Sequence, residues 1–539
     1  MVSTYFRVFL PSLLSVLAVS QGQDVFRFAK IYSDHMVLEQ APKRAVVWGY
    51  GEIGKKVLLQ FSGQSYDSLI TAHEQGNQSV GLWQVLLLPT TFGGPYQIVA
   101  HSTVKGKEKT INLMDVMFGD VWICSGQSNM EFTVVQSDNA AKAINESIHY
   151  DQIRIFTAGR DCESKPQHEL KSVLLPWSRP SPETVGGKPW QYFSAVCWYY
   201  GVQLYEELKY PIGLIATSWG GTPIEAWSSP DALAQCGGDE SILKTSNKRL
   251  HIGVGKDELQ FGGPQKFSCL WNAMIVPFLN MTIHGSIWYQ GEDNAQYHYL
   301  SYNCSFPAMV DDWRAKWYSS TRGNTDPVFP FGFVQLSSVG HDLKSTSQNF
   351  ATLRWNQTAQ FGYVPNPRQK NTFMAVAMDL GNPKSPYGSI HPTDKTDVGF
   401  RLGLAGLSIA YGKDKYYTGP LVSKIQKYVR GSTVYLQVFF KSLNKKIELR
   451  NSDGFQVQCK NVDTWKDAPV VDLGGSFVYL KTNSCEPVRV RYAWCDYPCV
   501  KLECAVYSGG LPSPPFLMNG PFDEIKARQT KNHFDFIYS

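Results

Sequence analysis

The 539-residue chain lacks several kinds of segment that would assign it to a broad class at once. It has no run of five or more basic residues, and its formal net charge of +5 is too dilute to indicate a nucleic-acid-binding surface. It has no internal repeat and no low-complexity tract, which excludes solenoid and fibrous proteins. Charged residues make up only 18% and aromatic residues 13%, a composition too apolar for intrinsic disorder. We therefore expect a globular protein that does not act on nucleic acid.

The amino terminus carries a short apolar run of a recognisable kind. Arg7 precedes the run VFLPSLLSVLAVS, which ends in the small residues Ala18, Val19 and Ser20. This order is typical of a cleaved signal peptide, which we place at residues 1–22. The run is too short to span a membrane, and no later stretch of about 18 apolar residues is free of charge. The sequence thus predicts a protein of the secretory pathway, lysosomal or extracellular, without a membrane span.

Cysteines and N-glycosylation sequons agree with secretion. The 11 cysteines allow up to five disulfides and leave one thiol, and Cys124, inside an apolar strand pattern, is the predicted buried free thiol. Four other cysteines cluster near the C-terminus: Cys485, Cys495, Cys499 and Cys504. Their spacing fits local disulfides better than it fits the alternative, a zinc site. Sequons that predict N-glycosylation lie at Asn77, Asn145, Asn280, Asn303 and Asn356.

The rhythm of apolar runs changes twice along the chain and predicts three folded regions. Residues 23–115 contain short strand-like runs separated by Gly and Pro, typical of an N-terminal β-sandwich-like domain. Residues 116–411 alternate apolar strands with helical patterns, which predicts an α/β domain with a mainly parallel sheet and helices on both faces. Residues 412–539 return to β-like runs and predict a C-terminal β-rich domain that contains the cysteine cluster.

Four predicted strands of the α/β region end in unusual polar sequence. The segments are GQSN at 126–129, WGGTP at 219–223, QGEDN at 290–294 and GSIHP at 388–392. Each alone is most simply an ordinary loop, because Gly and Ser are common turn residues. Ligands, however, bind outside the carboxyl ends of the strands in open parallel sheets. Four such segments in one α/β unit therefore predict a shared active site.

The residue types in these segments supply the parts of a serine-based site. Ser128 follows a buried strand on a tight turn, which would expose its Oγ and direct nearby amide groups toward a developing oxyanion. A serine hydroxyl is a poor nucleophile until a base removes its proton, and the imidazole of His391 suits that task. Gly221 can bring a backbone N–H close to a substrate, and Gln290 can add a side-chain N–H. This set predicts nucleophilic catalysis.

Longer segments around these residues resemble the carbohydrate-esterase branch of the SGNH-hydrolase superfamily. They are IYSDHMVLEQAP, AVVWGY, GDVWICSGQSNM, GLIATSWGGTPIEAW, IWYQGEDNA and SIHPTDKTDVGFRL, spread over residues 25–410. The resemblance implies an SGNH-type three-layer α/β/α domain that hydrolyses sugar O-acetyl esters, typically at the 9-position of sialic acid, without metal or cofactor. It implies Ser128 as nucleophile, His391 as base, and an oxyanion hole formed by Ser128, Gly221 and Gln290.

One position departs from that pattern, because the acid usually found three residues before the histidine is Gly388 here. Asp379, at the end of the preceding strand, is our candidate for the acid that orients His391. The alternative is a Ser–His dyad held by a backbone carbonyl, or one helped by Glu292. Asn129 and Glu292 are assigned supporting roles in either case.

Two other functions fit the same sequence. The missing acid fits a carbohydrate-binding glycoprotein of this fold that is weakly active or inactive, and an acetyl esterase for another glycan, such as xylan, would use the same residues. A Cys124 nucleophile is disfavoured because a thiol inside a strand is poorly exposed. Arg354 and Arg401 could pair with a sugar carboxylate, although ordinary ion pairs are the simpler interpretation. Four tryptophans beside the motifs could contact sugar or pack in the core: Trp122, Trp219, Trp227 and Trp288.

Overall fold

The computed structural model describes residues 26–75, 78–237, 262–343, 345–430, 433–443, 445–482 and 485–524. The predicted signal peptide and Asn77 lie outside the described residues. The chain separates into two compact units. The first comprises the described parts of Met1–Ala29, Trp48–Val85 and Val99–Asn112, and the second those of Lys30–Val47, Leu86–Ile98 and Leu113–Ser539. The domain boundaries expected after residues 115 and 411 stay predictions.

Strands dominate the chain before the first helix. They are β1 (Arg27–Phe28), β2 (Val37–Glu39), β3 (Val46–Tyr50), β4 (Lys56–Phe61), β5 (Gln64–Leu69), β6 (Thr71–Gln75), β7 (Gln78–Leu86), β8 (Gly93–Val104) and β9 (Lys107–Gly126). Along β4 exposed and buried residues alternate, as expected for a strand with one face in a core, and β4 pairs antiparallel with β5. Within the first unit, Trp83 packs against Phe26 and Phe28 with ring centroids 6.1 and 5.4 Å apart.

A mainly parallel sheet forms the centre of the second unit. Its further strands are β10 (Ile153–Ala158), β11 (Val173–Ser178), β12 (Ile212–Ser218), β13 (Gly285–Tyr289), β14 (Phe331–Gln335) and β15 (Thr372–Val376). The order is β11-β10-β12-β9-β13-β14-β15, with only β11 antiparallel to its neighbour on this path. Every residue of β13, β14 and β15 is buried, so both faces of the sheet are covered.

Helices occupy the connections between these strands. They are α1 (Ser128–Glu131), α2 (Ala140–Glu146), α3 (Ala195–Leu208), α4 (Ile224–Trp227), α5 (Pro230–Gln235), α6 (Tyr302–Ser320), α7 (Asn349–Gln357) and α8 (Lys395–Ile409). Single turns of 3₁₀- or π-helix lie at Val134–Gln136, Ser147–His149, Pro182–Gly186, Trp271–Ile275, Val276–Phe278 and Asn294–Gln296. No helix within the described ranges has the length and apolarity needed to cross a bilayer.

The C-terminal part of the second unit is β-rich, so the chain combines an α/β region with a C-terminal β region. The strands are β16 (Leu421–Arg430), β17 (Thr433–Lys441), β18 (Glu448–Leu449), β19 (Phe455–Cys459), β20 (Trp465–Asp467), β21 (Val470–Leu473), β22 (Phe477–Lys481), β23 (Pro487–Tyr492), β24 (Val506–Ser508), β25 (Leu511–Pro512), β26 (Phe516–Asn519) and β27 (Asp523–Glu524). They form one five-stranded, one four-stranded and one three-stranded sheet.

The structure contains five disulfides, as the cysteine count allows. The pairs are Cys124–Cys197, Cys162–Cys269, Cys236–Cys304, Cys459–Cys485 and Cys499–Cys504. The prediction that Cys124 is the free thiol is wrong, because α3 presents Cys197 to it; the free cysteine is Cys495. A disulfide-bonded Cys124 has no thiolate to offer as a nucleophile. The pairing of Cys485, Cys499 and Cys504 also removes the zinc interpretation of the C-terminal cluster.

The predicted glycosylation sites differ in accessibility. Asn145 is exposed, and Asn280 and Asn303 are half-buried. Asn356 is only 1% exposed, and its side-chain Nδ2 donates to the Tyr299 carbonyl oxygen at 2.6 Å. Glycan attachment requires an accessible side-chain amide, so the structure contradicts the prediction for Asn356.

Candidate active site

The turn that carries Ser128 is fixed by a glycine at the end of β9. Gly126 has φ of +144°, and a Cβ at this position would lie 2.1 Å from the Tyr289 carbonyl oxygen. The chain can therefore turn here only without a side chain, and α1 begins two residues later at Ser128. Ser128 is half-buried, whereas Gln127 and Asn129 on either side are buried. The turn thus presents the serine hydroxyl at the carboxyl edge of the sheet.

Ser128 and His391, 263 residues apart in sequence, are in direct contact. The Ser128 Oγ lies 2.8 Å from Nε2 of His391, and Nδ1 of the same ring lies 2.8 Å from the Tyr387 carbonyl oxygen. A carbonyl oxygen only accepts, so Nδ1 carries the proton and Nε2 is left to accept from the serine hydroxyl. This is the tautomer that a general base for Ser128 requires.

Asp379 does not orient His391. Its carboxylate is 0% exposed and accepts from Arg401 Nη1 and Nη2 at 2.6 and 3.0 Å and from the Tyr507 hydroxyl at 2.8 Å. The assignment is therefore corrected: Asp379 links α8 to the C-terminal β region, and the Tyr387 carbonyl oxygen holds the imidazole. The sequence placed Asp379 at the right sheet edge, but Arg401 on α8 determines where its carboxylate points.

The Gly-Gly loop after β12 lies against the nucleophile. A Cβ on Gly220 would be 3.1 Å from Cβ of Ser128 and 3.1 Å from Oε2 of Glu131, so a larger residue here would have to displace one of these side chains. The Gly220 N–H donates to Oε2 of Glu131 at 2.5 Å and is already used. Gly221 follows with φ of +64°, and its carbonyl oxygen accepts from Gln265. The Gly221 amide therefore remains the loop's candidate oxyanion donor.

Gln290 cannot donate to an oxyanion in this arrangement. Its side chain is 0% exposed, and its Nε2 donates to the Thr222 carbonyl oxygen at 3.1 Å and to Oδ1 of Asn294 at 2.7 Å. Its Oε1 accepts from the Tyr302 hydroxyl at 2.9 Å, so both amide hydrogens and the oxygen are engaged. The predicted role is corrected: Gln290 braces the Gly-Gly-Thr loop against the end of β13.

A buried polar network joins the nucleophile's turn to the loop that carries His391. Asn129 Nδ2 donates to Oε1 of Glu292 at 2.5 Å and to the Ile390 carbonyl oxygen at 2.9 Å. Lys395 Nζ donates to Oδ1 of Asn129 at 2.7 Å and to the Pro392 carbonyl oxygen at 2.6 Å. The two carbonyls that flank His391 are therefore both tied to the residue next to Ser128.

Burial shifts the two charged members of this network toward their neutral forms. It raises the pKa of Glu292, and the hydrogen bond from Asn129 only partly opposes the rise. It lowers the pKa of Lys395 to about 7, although Glu292 and Asp394 favour the charged form. Lys395 was not among the predicted site residues; the signal for it was its place in SIHPTDK, one turn past His391 at the start of α8.

A second charged pair lies beside the nucleophile's helix. Glu131, the last residue of α1, accepts from Arg160 Nη2 at 2.5 Å and from the Gly220 amide. Burial raises the pKa of Glu131 despite these partners. Arg160 follows β10 at the same sheet edge, and it was missed because the strand IRIFTA was not recognised in the sequence.

Aromatic rings surround the imidazole. Trp190 meets His391 edge-on with ring centroids 5.4 Å apart, and Phe132 contacts both Trp190 and Tyr387 at 5.4 and 5.2 Å. Among the four tryptophans singled out in the sequence, only Trp219 is partly exposed. The other three are fully buried core residues: Trp122, Trp227 and Trp288. The aromatic wall of the site is therefore built mainly from residues outside the sequence motifs.

Comparison with known proteins identifies the family. Residues 118–398 match the family described as carbohydrate esterase, sialic acid-specific acetylesterase, and residues 426–520 match the sialate O-acetylesterase C-terminal domain. The sialate O-acetylesterase of Rattus norvegicus is 40% identical over 529 residues, which cover 94% of this chain and 96% of the relative. The chain belongs to the sialate O-acetylesterase family. The Homo sapiens member is 41% identical over 505 residues, which cover 91% of this chain and 92% of the relative.

A solved structure outside these close relatives has the same architecture. The crystal structure of a carbohydrate acetylesterase from Xanthomonas citri is 26% identical and superimposes with a TM-score of 0.72, covering 92% of this chain and 100% of that chain. Family membership confirms the resemblance on which the sequence-based expectations rested. The match over residues 118–398 includes all four polar segments, at 126–129, 219–223, 290–294 and 388–392.

Proposed function

We propose that this chain is a serine esterase that hydrolyses O-acetyl esters on sialic acids, with Ser128 as nucleophile and His391 as general base. The observation that carries the proposal is the 2.8 Å contact between Ser128 Oγ and His391 Nε2, with Nδ1 bonded to a carbonyl oxygen. This is the dyad alternative of the sequence analysis, held by a backbone carbonyl. Family membership supports the substrate class, and 9-O-acetyl sialic acid is the proposed preferred ester.

Acylation begins when Ser128 Oγ attacks the acetyl carbonyl carbon and its proton moves to His391 Nε2. The carbonyl oxygen takes up negative charge, which the backbone N–H groups of Ser128 and Gly221 stabilise. We propose both amides because of where they lie. The Ser128 N–H belongs to the first residue of α1 and therefore has no acceptor within that helix. Each such donor typically contributes about 3–4 kcal/mol to transition-state stabilisation.

Collapse of the tetrahedral intermediate releases the sugar. The bond between the carbonyl carbon and the sugar oxygen breaks, and the imidazolium returns its proton to that oxygen, which leaves acetyl-Ser128. Water then loses a proton to His391 Nε2 and attacks the acetyl group. The second intermediate expels Ser128 Oγ, which regains the proton, and acetate departs. Asn129 and Glu292 do not contact the reacting atoms in this scheme; they hold the segment that carries His391 in place.

Further features of the proposal concern architecture and compartment. The sheet order and the burial of β13–β15 support an SGNH-type three-layer α/β/α domain, flanked by β-sandwich-like regions with boundaries near 115 and 411. Five disulfides support residence in an oxidising compartment, lysosomal or extracellular.

Covalent labelling and substrate choice test the proposal together. A fluorophosphonate should label wild-type protein at Ser128, as read by peptide mass spectrometry, and His391→Ala should slow labelling strongly because the base is gone. Acetate release from 9-O-acetyl-N-acetylneuraminic acid should exceed that from acetylated xylan. Folded wild-type protein that leaves Ser128 unlabelled would point to a carbohydrate-binding glycoprotein, and preference for xylan would change the substrate class.

A further inference from the structure

One guanidinium at the active-site edge has an unused side. Arg160 Nη2 donates to Oε1 of Glu131 and to the Trp190 carbonyl oxygen, each at 2.5 Å. Its Nε and Nη1 groups meet no acceptor among the residues that the structure describes. The side chain is 33% exposed, so those N–H groups are open to a ligand. The Nη2 group of Arg160 is therefore anchored, whereas Nη1 is open to a ligand.

Both anchors of Arg160 belong to the site. Glu131 ends the helix that begins at Ser128, and it also holds the Gly220 amide of the loop packed on that serine. The ring of Trp190 lies against the imidazole of His391. A ligand on the free side of Arg160 would consequently lie close to the reacting groups.

Three other cations of the second unit are not available to a ligand. Arg354 is 0% exposed and donates to four backbone carbonyls, of Leu336, Ser337, Cys495 and Asp496. Arg401 is 5% exposed and is paired with Asp379. Lys395 is 0% exposed and is held by Asn129 and Pro392. The two arginines considered in the sequence are thus structural, and of these four cations Arg160 alone faces solvent.

We propose that Arg160 binds the carboxylate of the acidic sugar substrate through its Nη1–H group. The inference rests on the proposed function, because a sialic acid ester carries that carboxylate and a neutral acetyl ester does not. Each parallel N–H pair of a guanidinium includes Nη2, and both Nη2 hydrogens are already used, so the carboxylate accepts a single charge-assisted hydrogen bond from Nη1. The anchoring of Nη2 fixes the guanidinium before substrate arrives, which reduces the entropy lost on binding.

The test compares wild type with Arg160→Met on two esters: 9-O-acetyl-N-acetylneuraminic acid and the neutral 4-nitrophenyl acetate. The ratio of kcat/KM for the acid sugar to kcat/KM for the neutral ester should fall about 10- to 100-fold, the range for losing charge-assisted hydrogen bonds. Most of the change should appear in KM, since carboxylate binding is lost in the ground state as well. Arg160→Lys keeps the charge but lacks the planar guanidinium that can bond to Glu131, Trp190 and a carboxylate in one fixed geometry, and it should give an intermediate ratio.

Arg368→Met is the matched control, because Arg368 is also a partly exposed arginine paired with a carboxylate, Asp311, at 2.5 Å. Its ratio should stay within about twofold of wild type, as for an ordinary surface substitution. An unchanged ratio in Arg160→Met would overturn the proposal. Equal losses on both esters would overturn it too, because Arg160 would then act only through Glu131 on the site.

Product inhibition separates this proposal from the proposed function. N-acetylneuraminic acid should inhibit wild-type hydrolysis of 4-nitrophenyl acetate at least about tenfold more strongly than its carboxyl methyl ester, and Arg160→Met should remove the difference. Equal inhibition by acid and methyl ester would refute the Arg160 site while leaving the esterase intact. Selective inhibition by the acid, without acetate release from the O-acetyl sugar, would keep the Arg160 site and refute the proposed substrate.

Discussion

The parallel sheet of the second unit buries charged side chains at both ends of its strands, and the two ends pair those charges differently. At the amino end, Asp120 accepts from the hydroxyls of Tyr210 and Tyr411 at 2.8 Å each and from Gln40 at 2.8 Å. His284 Nδ1 lies 3.2 Å from the same carboxylate. Every oxygen of this carboxylate has a partner, so the amino end is a fully paired network.

The pKa values at the amino end reflect that pairing. Burial alone would raise the pKa of Asp120, but the charge and hydrogen bond of His284, with Gln40 and Tyr210, hold it well below its ordinary value. Burial likewise opposes the charged imidazole, yet Asp120 and Glu39 raise the pKa of His284 to about 9. Both groups are held in their charged forms, which stabilises the fold.

At the carboxyl end the balance is reversed. Burial raises the pKa of Glu131 and of Glu292 and lowers the pKa of Lys395 to about 7, so partners do not offset the loss of hydration. Ser128 and His391 lie at this end, opposite the Asp120 network. The comparison shows that buried charges stabilise the fold at the amino end of the sheet. At the carboxyl end burial disfavours the charged forms, and these side chains instead position the residues around Ser128 and His391.

The largest expected effect is on chemistry at the carboxyl end. Ser128→Ala should lower kcat for acetyl ester hydrolysis by at least about 10⁴-fold, because the nucleophile is lost. The free energy of unfolding should change by less than about 0.5 kcal/mol, since the side chain is half-buried and makes few contacts. Steady-state kinetics and urea unfolding of the same preparation measure both. A variant that keeps a tenth of wild-type turnover would break the assignment.

The amino end should show the opposite behaviour. Asp120→Ala should lower the free energy of unfolding by about 3–5 kcal/mol, because the buried His284 charge loses the nearer of its two carboxylate partners and the hydroxyls of Tyr210 and Tyr411 lose their acceptor. Turnover per folded molecule, counted by fluorophosphonate labelling, should stay near wild type. Glu206→Ala removes an exposed ion pair with Lys209 and serves as control, with an expected loss below about 1 kcal/mol. Loss of turnover in folded Asp120→Ala would show that the two ends are coupled.

The pH dependence of stability should differ in sign between the ends. The raised pKa of His284 gives stability that is present below about pH 6.5 and lost as pH rises through about 9, a change of about 3 kcal/mol. The lowered pKa of Lys395 acts the other way, so stability rises from about pH 7 toward 10.5. Urea unfolding from pH 6 to 10 should show that the stability difference between wild type and His284→Gln shrinks with pH. A difference that grows would reverse the assigned sign.

The smallest expected effect concerns positioning at the carboxyl end. Lys395→Met removes the hydrogen bonds that tie Pro392 to Asn129 and should lower kcat about 10- to 100-fold, as expected when reacting groups move by about 1 Å. KM should change little, because Lys395 is buried away from substrate. Lys415→Met, at an exposed pair with Glu207, is the matched control and should leave kcat unchanged. If the loss of turnover matches the loss of protein that a fluorophosphonate can label, Lys395 stabilises the fold and does not position the dyad.

Site residues could be predicted from the sequence where function depends on a residue's place on a strand or turn. Ser128 was singled out because its turn is one of four polar segments that follow strands of one α/β region, although a Gly-x-Ser turn alone is most simply an ordinary loop. His391 was found because its segment follows another strand end. Carboxyl ends of parallel strands converge, so two segments 263 residues apart could be expected to meet.

Roles could not be predicted where a side chain had a choice of hydrogen-bond or disulfide partners. Asp379 lies at the expected sheet edge but pairs with Arg401, and Gln290 is saturated by Thr222, Asn294 and Tyr302. Cys124 was expected to be free, although a cysteine on α3 packs onto its strand. In each case the competing partner comes from an element whose distance the sequence does not encode locally.

By itself the sequence determined the strand-and-helix alternation, the serine turn, the histidine segment and the family. These follow from short-range patterns, because backbone preferences and apolar periodicity act over a few residues. Only the tertiary structure decided that a carbonyl oxygen holds His391, that Lys395 and Glu292 share Asn129, and that Arg160 keeps a free side. Hydrogen bonds and charges act over a few ångströms, so their partners are fixed only when distant segments pack together.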